Sequence, residues 1–235
     1  RLDAINEIDE IMIATRHTNF PVKKGDRLLG TRVIPLVIAK EKMEQVKKTA
    51  GETPLVSLTP YKKKTVGIVT TGNEVYYGRI KDTFTPVIIE KMKEYKIEVC
   101  GHIVCNDDME KITKAILELK KKGAEMIVCT GGMSVDPDDK TPGAIKATGA
   151  RIVSYGAPVL PGAMFLLSYL EDGTPVMGLP GCVMYAKATV FDLVLPRIAA
   201  GIEVTKKDLA HMGNGGFCLG CKECHYPNCS FGKGV

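Results

Sequence analysis

Short, mostly apolar runs that end at glycine recur along this chain and constrain its fold more than any other feature. Residues 65–70 (TVGIVT) lead to Gly72, and residues 125–130 (EMIVCT) lead directly to a glycine pair. Short runs that are mostly apolar, without a polar residue at every second position, are typical of strands buried inside a parallel sheet. Stretches with helical spacing separate the runs. We therefore predict an α/β protein of three layers, α/β/α, around a mainly parallel sheet.

The helical stretches are defined by their apolar spacing and by the residues that end them. Residues 108–122 place four apolar side chains inward and lysines outward, and Gly123 ends the helix. A long apolar helix is predicted over residues 182–200, and a short one near Pro142 with Thr141 as its cap. The inward side chains of the first of these helices are Ile112, Ala115, Ile116 and Leu119.

The same patterns divide the chain into three zones. In the first zone, residues 31–39 (TRVIPLVIA) indicate a strand, which Pro35 would place at a sheet edge or a bulge. In the second zone, an Asp-Gly pair at 172–173 between two apolar runs predicts a hairpin. The predicted zones are a reduced N-terminal segment with a linker (1–61), an α/β ligand-binding domain (62–201) and a cysteine-rich tail (202–235).

Composition and charge narrow the classes of protein. The formal net charge is +5 and the lysines are spread over several segments, whereas a nucleic-acid-binding protein more often carries a concentrated basic stripe. No apolar run approaches the roughly 20 residues that span a bilayer, and no secretory signal is visible. We expect a cytoplasmic protein with no nucleic-acid or membrane partner. Because the chain begins with Arg1, we also expect further residues upstream.

Four of the predicted strands end in a segment that contains glycine. In open α/β sheets, ligands bind beyond the carboxyl ends of the strands. Glycine lets the backbone approach a ligand closely and present N–H groups, which favours anions. Any one segment is also explained by the needs of a turn, but four together predict an anion-binding pocket. The segments are residues 70–74 (TTGNE), 130–134 (TGGMS), 160–162 (LPG) and 179–182 (LPGC).

Acidic side chains follow two of the predicted strands. Asp136, Asp138 and Asp139 lie in the loop after the glycine pair, and they indicate either a solvated loop or a site for Mg²⁺ or a polar ligand. Asp107 and Asp108 end another strand, where Asp108 is equally explained as the cap of the helix that follows. The residues alone leave these alternatives open.

Four cysteines crowd into the end of the chain. They are separated by two, two and four residues, a spacing that suits Zn²⁺ or an iron–sulfur cluster. A chain of this size without a secretion signal is expected to keep its thiols reduced. The segment is rich in glycine and poor in core residues, so we predict a metal site, with an unstructured tail as the alternative. The four predicted metal ligands are Cys218, Cys221, Cys224 and Cys229.

Several motifs occur together in one order along the second zone. They are VGIVTTGNEV (66–75), Asp107-Asp108 before a helix, TGGMSVDPDDKTP (130–142), LPGAM (160–164) and GLPGC (178–182). In this order and spacing they resemble the molybdopterin-binding domain of molybdenum-cofactor biosynthesis proteins, the MogA and MoeA group. The resemblance implies that residues 62–201 bind molybdopterin, and that the protein forms homodimers or homotrimers. A biosynthesis protein or a molybdoenzyme is the kind of partner it implies.

The resemblance also implies roles for particular residues. Asp107 and Asp139 correspond to the two catalytic acids. The spacing of Asp139, Thr141 and Pro142 is similar to the adenylyltransferase branch, which activates the terminal phosphate of the pterin with ATP and Mg²⁺. The spacing of Gly132 and Ser134 is similar to the insertase branch, which loads molybdate. A non-catalytic carrier or sensor with a metal-binding tail is the alternative. The implied cofactor-binding residues are Thr71, Gly72, Asn73, Glu74, Gly131, Gly132, Ser134, Asp136, Pro161, Gly162, Pro180, Gly181 and Cys182.

The chain departs from the family pattern at two of these motifs. Leu160 stands where the family commonly has lysine, and Cys182 and Val183 replace the usual Asn-Pro pair. Cys182 is expected at a helix N-terminus, a position that lowers the pKa of a thiol. It is therefore either a thiolate ligand or nucleophile, or a small residue packed beneath the loop.

Overall fold

The computed structural model describes residues 1–133 and 139–234, which form two compact units, Arg1–Pro60 and Tyr61–Val235. The first unit has a small core made by Ile5, Ile8, Ile11 and Val46. Its elements are α1 (Leu2–Asn6), β1 (Ile11–Thr15), β2 (Leu29–Val33) and α2 (Lys40–Ala50), with β1 and β2 paired antiparallel.

The strand predicted over residues 31–39 is wrong beyond Val33. β2 begins earlier, at Leu29, and ends before Pro35, which has no N–H to donate to a neighbouring strand. Ile34, Leu36 and Val37 are exposed, so their apolar character does not reflect a buried strand.

The second unit alternates strands and helices, as the sequence predicts. Its elements are β3 (Thr65–Thr71), α3 (Asn73–Tyr76), α4 (Phe84–Lys93), β4 (Glu98–Cys105), α5 (Met109–Lys121), β5 (Met126–Thr130), α6 (Thr141–Ala147), β6 (Arg151–Tyr155), β7 (Leu166–Tyr169), β8 (Pro175–Leu179), a single 3-10 turn (Gly181–Met184), α7 (Val190–Ala199) and α8 (Lys206–His211). None of the described helices has the length and apolarity that crossing a bilayer requires.

The six strands of this unit form one sheet in the order β4-β3-β5-β8-β7-β6. β4, β3, β5 and β8 run parallel, while β7 is antiparallel to both β8 and β6. The predicted fold class is confirmed. The edge where β3, β4, β5 and β8 end is called the carboxyl edge below, and the opposite edge is called the amino edge.

Helices cover both faces of the sheet and make it the middle layer. α4 and α7 pack on one face, and α5 and α6 pack on the other. The four inward side chains predicted for α5 are all buried. α5 lies close to the sheet because β4 has a glycine beneath it: a Cβ on Gly101 would come 2.6 Å from Cδ2 of Leu119.

The helix predicted over residues 182–200 is shorter in the structure. Only a 3-10 turn follows Pro180, and α7 begins at Val190. Its start is fixed by Thr189 and Asp192, which form a reciprocal capping box. The apolar residues before it belong to a loop at the carboxyl edge, so hydrophobicity alone extended the predicted helix too far.

Candidate ligand site at the carboxyl edge

The four glycine-containing segments come together at the carboxyl edge. Three of them follow β3, β5 and β8, which are neighbours in the sheet, with Thr70 opposite Thr130 and Thr130 opposite Leu179. The fourth, residues 160–162, precedes β7. Because β7 runs antiparallel to β8, its start lies at the edge where β8 ends. The segment was predicted at the end of a strand and stands at the start of one, yet the edge is the same.

A group of threonine hydroxyls joins the loops after β3 and β5. Thr71 Oγ1 donates to the carbonyl of Thr130 at 3.2 Å and lies 3.1 Å from Thr141 Oγ1. Thr141 Oγ1 donates to the carbonyl of Gly131 at 2.9 Å. The predicted role of Thr141 as a helix cap is wrong, because Thr141 is the first residue of α6 and its hydroxyl bonds to the glycine loop instead.

The glycines of these loops serve two different purposes. Gly131 has φ +86°, and a Cβ there would lie 2.2 Å from the carbonyl oxygen of Thr71; a Cβ on Gly162 would lie 2.5 Å from Val190. These two glycines are required for packing. A Cβ on Gly72 or Gly181 would meet no described atom within 4 Å. The backbone at Gly72 and Gly181 is therefore open to a ligand.

Asp107 connects the loop after β4 to the loop after β3. Its Oδ2 accepts a hydrogen bond from the amide of Asn73 at 3.0 Å. The next residue, Asp108, caps α5 by accepting from the amide of Lys111 at 3.1 Å. The capping alternative for Asp108 is thus confirmed. The two adjacent acids have separate tasks, and Asp107 is the one that faces the glycine loop.

Asp139 lies beside the glycine pair with part of its carboxylate unsatisfied. Its Oδ1 is 3.7 Å from the position of a Cβ on Gly132. Its Oδ2 is buried and has no hydrogen-bond partner among residues 1–133 and 139–234. A buried carboxylate oxygen without a partner is costly, so the site favours a cation or a hydrogen-bond donor there. Ser134 and Asp136 were also predicted here, and both lie outside the described residues.

A second polar cluster, behind the loop after β3, was missed in the sequence. Asp82 Oδ1 accepts from the amides of Phe84 and Thr85 at 2.9 and 3.0 Å, and its Oδ2 accepts from Thr85 Oγ1 at 2.5 Å. Thr70 Oγ1 lies 2.9 Å from His102 Nε2 and 3.3 Å from Asp82 Oδ2. An aspartate two residues before an apolar helix is a capping signal that would have fixed the start of α4, a helix that the apolar spacing of residues 85–95 already predicts. The contact with His102 crosses to another strand and leaves no local signal.

The environment of Asp82 favours the ionised carboxylate. Burial by itself would raise its pKa, but the hydrogen bonds from Thr85 and Phe84, together with the nearby His102, outweigh that effect. The pKa of Asp82 is therefore below the ordinary aspartate value. Asp82 fixes the start of α4 and supports the end of β3 as an anion.

The thiol of Cys182 is not activated. Burial raises its pKa above the ordinary cysteine value and outweighs the opposing hydrogen bond to its own backbone. The expectation of a lowered pKa is wrong, because the 3-10 turn that begins at Gly181 is only four residues long. The thiol stays protonated near neutral pH, which fits the packed-residue alternative.

The structure does not bring the four tail cysteines together at one point. Among the described residues, which include all four tail cysteines, no group of three or more cysteine, histidine or acidic side chains is placed to hold a metal. Cys218 and Cys229 pack against the core of the second unit, whereas Cys221 and Cys224 are exposed. Two of the four tail cysteines therefore contact the core, and the other two face solvent.

The tail nevertheless has contacts with the domain. Leu160 and Phe217 form a parallel bridge, in which Leu160 donates to Gly216 and the amide of Cys218 donates to Leu160, both at 2.8 Å. Tyr226 Oη donates to the carbonyl of Asp192 at 2.7 Å, and Phe231 is buried in the core. The tail is therefore attached to the loop that carries Pro161 and Gly162.

A cavity of about 670 Å³ lies at the amino edge, away from these loops. Three of its six charged side chains are already engaged: Arg151 pairs with Glu203 at 2.6 Å, and Glu125 accepts from the amides of Lys64 and Thr65. The carboxyl edge has the open glycines and the unsatisfied carboxylate. Its chemistry makes it the better candidate.

A sheet with glycine-lined loops at its carboxyl edge defines a ligand-binding α/β protein. Residues 67–200 match the family described as a probable molybdopterin binding domain. The match covers 134 of the 235 residues, from β3 to the end of α7. The chain belongs to this family.

Two curated relatives illustrate the range of similar proteins. The chain is 24% identical over 217 residues to a molybdopterin molybdenumtransferase from Synechococcus elongatus, covering 84% of this chain and 52% of that protein. It is 35% identical over 75 residues to a CinA-like protein from Mycobacterium avium, covering 32% and 17%. The chain thus spans about half the length, or less, of these relatives.

Solved structures of similar proteins include two MoaB proteins. The tungsten cofactor synthesizing protein MoaB from Pyrococcus furiosus is 22% identical, with 58% of this chain and 93% of that chain covered and a TM-score of 0.49. The molybdopterin biosynthesis enzyme MoaB from Thermus thermophilus is 22% identical, with 59% and 97% covered and a TM-score of 0.47.

The division of the glycines predicts different effects of the same substitution. Gly131→Ala should lower the free energy of unfolding by about 1–3 kcal/mol, because its Cβ would collide with backbone. Gly181→Ala should change it by less than about 0.5 kcal/mol, because its Cβ would enter open space. Urea unfolding monitored by circular dichroism measures both. Equal decreases in the free energy of unfolding of the two variants would contradict the distinction between packed and open glycines.

The lowered pKa of Asp82 predicts a stability difference that depends on pH. At pH 7, the free energy of unfolding of Asp82→Asn should be about 1–3 kcal/mol lower than that of wild type, because the carboxylate and its hydrogen bonds are lost. A depressed pKa stabilises the folded state above the ordinary value of about 4, and this contribution disappears as pH falls through the folded-state pKa. In urea titrations, the difference in free energy of unfolding between wild type and variant should therefore disappear as the pH falls below the folded-state pKa of Asp82.

Asp108→Asn is the matched control for this measurement. Asparagine caps a helix about as well as aspartate, so the variant should match the wild type at pH 7. A difference for Asp82→Asn that stays constant from pH 7 to pH 3 would show that the charge of Asp82 is not what stabilises the fold.

Proposed function

We propose that the carboxyl edge binds molybdopterin as part of molybdenum-cofactor biosynthesis. The open backbone at Gly72 and Gly181, on either side of the Gly131 loop, is the observation that carries this proposal. Open space beside these two glycines lets the terminal phosphate of the pterin approach the loops closely. Helices α3 and α6 are too short to contribute a strong dipole, so the phosphate is held by loop amides and nearby polar side chains. Family membership supports the same ligand.

Adenylyl transfer is the reaction that we propose for this site. A phosphate oxygen of molybdopterin attacks the α-phosphorus of ATP, the bond to the β-phosphate oxygen breaks, and pyrophosphate leaves. The partnerless Oδ2 of Asp139 fits a divalent cation, and Asp107 provides a further carboxylate on the loop after β4, on the other side of β3. Mg²⁺ held by these acids would neutralise phosphate charge. Molybdenum insertion is the second candidate, favoured by the likeness to the Synechococcus molybdenumtransferase.

Turnover with matched acid variants tests this function. Wild type should release pyrophosphate from ATP only when molybdopterin is present, and Asp139→Asn should slow this by roughly 100-fold or more, because charge stabilisation is the main catalytic contribution. Asp107→Asn should also slow it, while Asp108→Asn should retain the wild-type rate, since Asp108 only caps α5. Pyrophosphate release and calorimetric binding are the measurements.

The outcomes separate the possible functions. Molybdopterin binding without pyrophosphate release supports a carrier. If molybdopterin neither binds in calorimetry nor triggers pyrophosphate release, the proposal as a whole is contradicted. Molybdate-dependent loading of the pterin in place of pyrophosphate release would favour insertion.

Metal binding by the tail is a separate proposal, supported by the spacing of its four free cysteines. Protein purified without oxygen should contain about one zinc or one iron–sulfur cluster per chain by elemental analysis. Cys221→Ser and Cys224→Ser should lose it, and Cys182→Ser should keep it. A metal content at background level in the wild type would contradict the proposal and leave the tail as a docked peptide.

A further inference from the structure

Two adjacent tyrosines stand in solvent beside the candidate site. Tyr76 and Tyr77 are 44% and 61% exposed. Their rings meet edge to face, with centroids 5.2 Å apart and planes at 85°. Helix α3, which carries Tyr76, buries none of its residues. Packing of a core therefore does not account for the two aromatic residues.

Two cations accompany these rings. The guanidinium of Arg79 lies 5.8 Å from the ring centroid of Tyr77, and the ammonium of Lys111 lies 5.9 Å from that of Tyr76. Both distances are in the range of cation–π attraction. We call these four residues the tyrosine platform.

The backbone ties the tyrosine platform to the candidate site. The amide of Tyr76 donates to the carbonyl of Gly72 at 2.9 Å, and the amide of Tyr77 donates to that of Asn73 at 3.0 Å. Asn73 is in turn bonded to Asp107, which lies four residues before Lys111. The platform thus stands one helical turn from Gly72; Arg79 follows α3, and Lys111 belongs to α5.

We propose that the tyrosine platform stacks the planar nitrogen heterocycle of a phosphate-bearing ligand. An exposed aromatic face attracts such a ring regardless of its hydrogen-bonding pattern. Arg79 and Lys111 supply positive charge for the phosphate that accompanies the ring. The inference rests on the proposed function, because it places the ring of the ligand next to the loop amides. Two sources have this chemistry, the pterin of molybdopterin and the purine of ATP.

The chain has no tryptophan, so a single introduced indole reports on the platform alone. Tyr76→Trp and Tyr77→Trp should bind ligand, and their emission should be quenched by molybdopterin, by ATP or by both, because a stacked heterocycle contacts the indole. Ribose 5-phosphate, which has no such ring, should leave the emission unchanged. Leu117→Trp, at an exposed position farther along α5, is the control and should respond to none of the three ligands.

Affinity provides the second measurement. Replacing both tyrosines by leucine should weaken binding of the ring-bearing ligand by about 10-fold or more, and replacing both by phenylalanine should leave binding within roughly 3-fold of wild type, because stacking needs the ring and not the hydroxyl. The ligand whose binding weakens identifies the source of the ring.

Failure of this inference is distinguishable from failure of the proposed function. If wild type binds molybdopterin and the double leucine variant binds it and ATP equally well, the platform is overturned and the site remains. If ATP quenches the indoles while molybdopterin shows no binding, the platform is supported and the pterin assignment falls. Absence of binding of both ring-bearing ligands would overturn both.

Discussion

The close approach of Gly131 to the backbone of Thr71 is the constraint on which the candidate site depends. A side chain at Gly131 would collide with Thr71, and the hydroxyls of Thr71 and Thr141 join the ends of β3 and β5 with hydrogen bonds. This contact sets the direction in which both loops leave the sheet. It leaves Gly72 open on one side and brings Asp139 against the glycine pair on the other. A ligand at this edge would meet the backbone of Gly72 and Gly131 in positions that packing already sets.

The sheet and its helices could be predicted from the sequence because their signals are local. Apolar runs ending in glycine identified β3 and β5, and the spacing of four side chains identified the buried face of α5. β6 was missed because it is short and only half-buried, and α7 was extended too far because apolar residues also line the loop before it. The apolar run would start α7 at residue 182, but the capping box of Thr189 and Asp192 starts it at Val190.

The candidate site was only partly predictable, and the reason is the distance in sequence between its partners. Glycine positions could be found, but whether a glycine faces packed atoms or open space depends on residues that are far away in the chain, such as Val190 opposite Gly162. The bond from Asp107 to Asn73 and the cluster of Thr70, Asp82 and His102 also join separate elements. In the tail, cysteine spacing indicated a metal site, whereas the structure attaches the segment through Tyr226 and Phe231 and leaves two thiols exposed. Spacing describes which atoms could meet, and packing decides which do.

The central claim is that loops from separate strands form one ligand site at the carboxyl edge, and amide chemical shifts measured during titration with molybdopterin test it most directly. The amides of Gly72, Gly131, Gly162 and Gly181 should shift together with one dissociation constant. Gly149, Gly173 and Gly201, which line the cavity at the amino edge, should not move and serve as internal controls. Shifts confined to the amino-edge glycines, or shifts of the four carboxyl-edge amides with different dissociation constants, would contradict the account.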